Sequence, residues 1–402
     1  MASEFLSVQR DVDDAVRARR SHPTGWEPKL TVDGERAELV SRAVADGQPA
    51  PGWEAELESR GGDPSRWRPS GPVRFSSWDA QVKGGDVVQM HAYRWNLVPA
   101  STVTVEDVDA LVARVRKHRK RPPKVDVDRP RALVVCLADW QAGKGEGGGV
   151  DGLVERVDRL KGEVGDRVRE LKRLGRPLDR LYVVSMGDLV EGCGGSQHYP
   201  MQDFSVELDR RQQVKLVRRL LVDLLTDWAG LAPKVVVGCV PGNHGELRSG
   251  GRAVTTFEDN DDLAVVEMAA EILQANDHAY GHVRFVIPDG DMTITLEPVP
   301  GQVVAFAHGH QARKGGTPAA KLGNWWSDKQ KARHPVGDAD VLVSGHYHHF
   351  VAVQDGPRTW FQCPALDGGS RWFEEAGGPA TVTGTLTFAV DEDGWSDLAV
   401  LR

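Results

Sequence analysis

The chain is poor in cysteine, with four in 402 residues. Cys136, Cys193, Cys239 and Cys363 are widely spaced and form no C-x-x-C pair. That argues against a disulfide framework and a cysteine-type zinc site, and fits a reducing, cytoplasmic setting. No apolar run approaches the roughly 18 residues of a membrane span, so no membrane partner is expected. The opening MASEFLSVQRDVDD is polar and acidic and does not read as a signal peptide. The glycine-rich AGKGEGGG around Lys144 lacks Gly-Lys-Ser/Thr, which excludes a nucleotide-binding P-loop. Excess positive charge is also missing. A formal charge of −8 speaks against nonspecific coating of nucleic acid, while leaving room for a local basic groove.

What is present is an ordinary globular composition, 40% hydrophobic and 27% charged, long enough for two or three domains. Residues 1–100 read as a small α+β module. Phe5, Val8, Val12 and Val16 have helical spacing, and Glu35 to Ala45 reads as a second helix stopped by Gly47. Residues 86–98 alternate like a strand, with a slip at Ala92-Tyr93 that reads as a bulge. Residues 101–130 read as a basic helix and Pro-rich linker. Thr104 with Asp107 resembles a capping box, and Arg114, Arg116, Lys117, Arg119, Lys120 and Arg121 precede Pro122-Pro123. From residue 131 to 402, short apolar runs alternate with helical stretches, the mark of α/β layering. Residues 205–229 read as the longest helix.

Each apolar run ends in residues of metal-ligand type. Ala132–Ala138 leads into Asp139 and Gln141. Leu181–Met186 leads into Gly187-Asp188 and Glu191. Lys234–Val240 leads into Gly242-Asn243-His244-Gly245-Glu246. Val303–Ala307 leads into His308-Gly309-His310, and Val341–Ser344 into Gly345-His346-Tyr347-His348. Ligands of α/β sheets bind outside the carboxyl ends of the strands, so five such ends can converge on one site. A mixed oxygen and nitrogen set suits Mn²⁺, Fe or Zn²⁺ better than Ca²⁺, which prefers oxygen alone.

The ordered motifs D-x-(H), GD-x-x-(D/E), GNH, H-G-H and GH-x-H resemble those of the calcineurin-like metallophosphoesterases, over residues 132–348. The resemblance implies a four-layer α/β/β/α sandwich behind a small N-terminal α+β domain. It implies two divalent ions, Mn²⁺ first, with Fe, Zn²⁺ and Mg²⁺ as alternatives. Asp139, Gln141, Asp188 and His348 would hold one ion, and Asp188, Asn243, His308 and His346 the other. Asp188 would bridge, a metal-activated hydroxide would attack phosphorus, and His244 would serve the leaving oxygen. Gln141 departs from the pattern, which has His there, and Glu191 stands where Asp is commoner.

Lys144, His198 and His310 are candidate substrate contacts, with a polar loop residue or a support for neighbouring ligands as the plainer reading. The added N-terminal module, the basic segment and the tryptophans favour a nuclease acting on DNA, resembling the DNA-repair exonuclease branch. A phosphatase or small-molecule phosphodiesterase is the first alternative, and a non-catalytic metal-binding adaptor the second. DNA against RNA, and self-association, stay open.

Overall fold

The computed structural model describes residues 22–33, 36–81, 87–99, 106–119, 121–125, 127–192, 206–249, 252–369 and 382–402. The chain divides into two compact units, one of Met1–Thr102 with Met201–Glu207, the other of the remainder. The proposed helix around Phe5 to Val16 lies outside the described residues.

The first unit is an antiparallel sheet of β1 (Lys29–Asp33), β2 (Arg36–Val40), β3 (Val44–Ala45), β4 (Trp67–Gln81) and β5 (Val87–Pro99), with helix α1 (Trp53–Glu58). β5 is its axis. β2 and β3 pair along one edge and β4 along the other. The expected helix over 35–45 is therefore wrong: Arg36–Val40 is a strand, paired with Lys29–Asp33 on one side and with residues 94–97 on the other. Its local periodicity is overridden by these nonlocal partners. The slip at Ala92-Tyr93 is not a bulge in β5 either. Val88 and Met90 pack into one cluster while Tyr93, Trp95 and Leu97 pack into another, so the strand changes its buried face. The register shift falls on β4, between Ser70 and Arg74.

The second unit opens with α2 (Val108–Lys117), whose Asp107 side chain accepts from Ala110 N–H as an N-cap. Leu111 and Val115 enter the main core, and Asn276 Nδ2 donates to the Val115 and His118 carbonyls at the helix end. The helix read as a connector is thus packed into this unit. Six strands form the first sheet, in the order β11 (Val283–Val286), β8 (Lys234–Cys239), β7 (Arg180–Ser185), β6 (Ala132–Leu137), β17 (Thr385–Asp391) and β18 (Gly394–Leu401). The first four run parallel, and β17 and β18 are antiparallel. The second sheet has the order β12 (Thr293–Val299), β13 (Gln302–Ala307), β14 (Val341–Ser344), β16 (Arg358–Gln362) and β15 (Val351–Asp355), with β13, β14 and β16 parallel. A short hairpin, β9 (Arg248–Ser249) with β10 (Arg252–Ala253), stands apart.

Strand alternation sorts side chains into layers. Leu133, Val135 and Leu137 face a core shared with α3 (Gly149–Arg173), α4 (Arg210–Trp228) and α5 (Asp261–Gln274), beside the short α6 (Asp277–Tyr280). Ala132, Val134 and Cys136 face the second sheet, meeting Phe306, Val343 and Phe361. Across that sheet, α7 (Pro318–Lys331) buries Leu322 and Trp326 against Ala305, Leu342 and Trp360. This is the expected α/β/β/α sandwich. Strands covered on both faces read as continuous apolar runs, which is why all five were visible in the sequence. The longest helix, however, is α3, with 25 residues against 19 in α4. Its stripe of Val150, Leu153, Val157, Leu160 and Val164 has helical spacing within an otherwise charged segment. No helix among the described residues is long and apolar enough to cross a membrane.

Candidate metal centre

The five motifs follow β6, β7, β8, β13 and β14, at the carboxyl ends of both sheets. Sharp turns are needed to aim side chains back over the strand ends. Seven described non-glycine residues adopt positive φ, and five of them are Asp139 (50°), Gln141 (45°), Asp188 (54°), His346 (72°) and His348 (62°). Left-handed backbone disfavours a Cβ by roughly 1–2 kcal/mol, so the surroundings must hold it. Gln141 N–H donates to the Asp188 carbonyl at 2.9 Å, and Gly345 N–H to the His308 carbonyl at 2.9 Å. Glycine is required where two turns meet: at Gly187 φ is +87°, and a Cβ there would lie 2.7 Å from Gly242.

Asp262 ties these turns together. Its buried carboxylate accepts from Asp188 N–H (2.9 Å), Leu189 N–H (2.8 Å) and Gly242 N–H (3.0 Å). Burial and the neighbouring Asp188 push its pKa up to about 7, against the pull of those backbone donors. By its letters alone, the acidic run Asp259 to Asp262 has the pattern of a helix start or solvated loop. Asn260 is indeed the N-cap of α5, but Asp262 points inward and organises the site.

One side of the cluster is built around His308. Its Nδ1 lies 2.7 Å from the Met186 carbonyl, which makes Nδ1 the donor. Nε2 then faces Asp188 Oδ2 at 2.9 Å and Asn243 Oδ1 at 3.1 Å. One ligand atom each from Asp188, His308 and His346 lies within 4.8 Å of the others, a candidate metal-binding group. Adjacent ligands about 2.1 Å from one ion stand about 3 Å apart in octahedral geometry, which the 2.9 Å between His308 Nε2 and Asp188 Oδ2 matches. Burial opposes charge on His308, but Asp188 outweighs it and lifts the pKa to about 10. Burial, reinforced by His308, drops His346 to about 2, leaving a neutral ring that can ligate. Asp188 stays well below the ordinary carboxylate range, because His308 and His244 overcome its burial. A divalent ion would replace the proton that His308 otherwise shares with Asp188.

The other side gathers Asp139, Gln141, Lys144, His348 and Asp367. His348 Nε2 is 3.3 Å from Asp139 Oδ1, and its Nδ1 is 3.6 Å from Asp367 Oδ2. Lys144 Nζ donates to Gln141 Oε1 at 3.0 Å and forms an ion pair with Asp367. Gln141 Nε2 is 3.4 Å from His244 Nε2. His244 Nδ1 donates to the Glu191 carbonyl at 2.8 Å, with the Glu191 carboxylate 3.7 Å away. Burial raises Glu191 to about 7, whereas His244 is raised by Asp188 and Glu191 in spite of its own burial.

His310 lies inside the cluster, its ring centroid 5.3 Å from that of His308 and its Nε2 3.5 Å from Glu246 Oε1. His198 falls outside the described residues. Asp367 was missed, since only the following Gly368-Gly369 marks a turn there. Features read as favouring nucleic acid fare unevenly. Trp326 is a core residue whose Nε1 donates to the Val336 carbonyl, and Trp95 is buried, while Trp26, Trp53, Trp67 and Trp78 are half-buried. Arg114 pairs with Glu106 and Asp223, and Arg121 bonds His278. Cys136, Cys239 and Cys363 are free and buried.

No family model and no curated protein matches the chain. Among solved structures it is similar to a novel archaeal phosphodiesterase (11% identity, 67% of this chain and 99% of that one, TM-score 0.32). It is also similar to Vacuolar Protein Sorting 29 from Cryptosporidium parvum (14%, 67% and 96%, TM-score 0.28). A conserved protein of Streptococcus pneumoniae described as a predicted phosphoesterase shows 12% identity over 67% and 87%, with TM-score 0.27.

Proposed function

We propose that this protein is a divalent-metal-dependent phosphoester hydrolase that cleaves phosphodiesters, and that its substrate is DNA. The observation that carries the reading is the convergence of Asp188, Asn243 and His308, with neutral His346 beside them, on one cation-sized position. A divalent ion held there would supply Lewis acidity at phosphorus and lower the pKa of water. The chain's own residues do the rest. The Met186 carbonyl fixes the His308 tautomer, which would leave Nε2 to hold the ion. His244, raised in pKa and held by the Glu191 carbonyl, is placed to protonate a leaving oxygen. A dinuclear Mn²⁺ centre would require, in addition, that the side around Asp139, Gln141 and His348 accept a second cation.

The test is hydrolysis with Mn²⁺ of single- and double-stranded DNA, beside bis-p-nitrophenyl phosphate and p-nitrophenyl phosphate, with Asp188→Asn as the blank. DNA cleavage lost in that variant supports a nuclease. Turnover of the small esters alone moves the protein to a phosphatase or small diesterase. Neutralising Arg116, Lys117 and Arg119 together should flatten the salt dependence of DNA binding by up to three counterions. An unchanged slope would remove that segment from the interface.

A further inference from the structure

Lys144 follows β6 by seven residues, and its side chain is only 11% exposed. A buried ammonium needs a compensating anion, and it has one in Asp367, whose side chain is wholly buried. Asp367 also accepts from Gly369 N–H at 3.0 Å and faces His348 Nδ1 at 3.6 Å. The third member is Gln141, whose amide oxygen takes the ammonium at 3.0 Å and whose amide nitrogen meets His244. The amide oxygen that a second metal would need is therefore already an acceptor for a cation belonging to the chain. A divalent ion beside that ammonium, in a site of low dielectric, would meet strong like-charge repulsion.

This inference rests on the metal-dependent reading above. We propose that the Lys144 ammonium is the built-in cation of this side, so that the protein binds one divalent metal, on Asp188, Asn243, His308 and His346. Gln141 is then a holder of Lys144 and not a metal ligand. Lys144 supplies positive charge at a fixed position, independent of metal supply, and Asp367 keeps it there.

Metal count decides the matter without reference to turnover. The full chain is titrated with Mn²⁺ and read by native mass spectrometry and by electron paramagnetic resonance. The wild type should take one Mn²⁺ and give an uncoupled six-line spectrum. Lys144→Met should tighten binding of a second Mn²⁺ by at least tenfold, and Gln141→His with Lys144→Met should hold two, with an exchange-coupled spectrum. Lys144→Arg, which keeps the charge, should stay at one. Two ions of similar affinity in the wild type would overturn the proposal, and so would a single ion in folded forms of both Met-bearing variants. Should those variants fail to fold, the wild-type count still decides. A wild type that binds no Mn²⁺, or an Asp188→Asn variant that binds it unchanged, would instead defeat the metal-dependent reading itself, and this inference with it.

Discussion

The two sides of the cluster share a backbone framework and differ in where positive charge comes from. Around His308, a carboxylate, an amide oxygen and two imidazoles meet without any lysine or arginine among the contacts described for them. Around Gln141, a lysine and a buried aspartate already form a pair. One side holds a proton on His308 that an external ion would replace, and the other carries a lysine charge that no ion can replace. A set of motif letters does not count metals: one ammonium placed among them changes the stoichiometry that the letters suggest.

The sharpest way to break the contrast is Asp188→Asn, which removes the carboxylate on which the His308 side depends. Activity should fall by about 10²–10³-fold, on the scale of losing electrostatic stabilisation of the transition state, and Mn²⁺ affinity should fall with it. Isothermal titration alongside rate measurement checks both. Near-normal values would mean that the two sides do not differ as described.

Next in size is Asp262→Ala, which removes the frame and leaves the ligands in place. Three backbone N–H groups would lose their acceptor, and a buried donor left unpaired costs about 1–3 kcal/mol. A loss of about 3–4 kcal/mol in urea unfolding is expected, allowing for bonds that do not act independently. Metal affinity should drop about 10–100-fold, as for outer contacts that orient ligands. A loss below 1 kcal/mol would show that Asp262 is a bystander.

The legibility of the protein follows the same division. Asp139, Asp188, Asn243, His308, His346 and His348 could be named as candidates because each closely follows a doubly covered strand. Asp262 could not, because it serves backbone N–H groups, and such a role leaves no ligand motif. The Lys144–Asp367 pair was out of reach because its partners are 223 residues apart in the chain. The strand at Arg36–Val40 was misread for a related reason: what makes it a strand lies in β5, not in its own letters.

The smallest expected effect concerns pH and lies on the Lys144 side. Glu191 has a folded pKa of about 7, above its ordinary 4.5, chiefly through burial. The folded state therefore binds the extra proton between these values, and stability falls as pH rises from about 4.5 to about 7. Glu191→Gln should flatten that decline, by on the order of 3 kcal/mol at pH 7 relative to pH 4. Unfolding midpoints of both proteins across this range test it, and parallel curves would reject the assignment.

The pairing of β17 with β6 has a consequence for the order in which this molecule can assemble. β6, which leads into Asp139, finds one neighbour in β7 about 50 residues downstream, but its other neighbour is Thr385–Asp391, some 250 residues away. A chain made from its N-terminus folds what it has. The strand leading into the first motif therefore keeps an open edge until those later residues are made, and an open edge invites wrong partners. Loss of Thr385–Asp391 and Gly394–Leu401 would fix the protein in that half-sealed form, with its motifs intact and this strand's edge exposed.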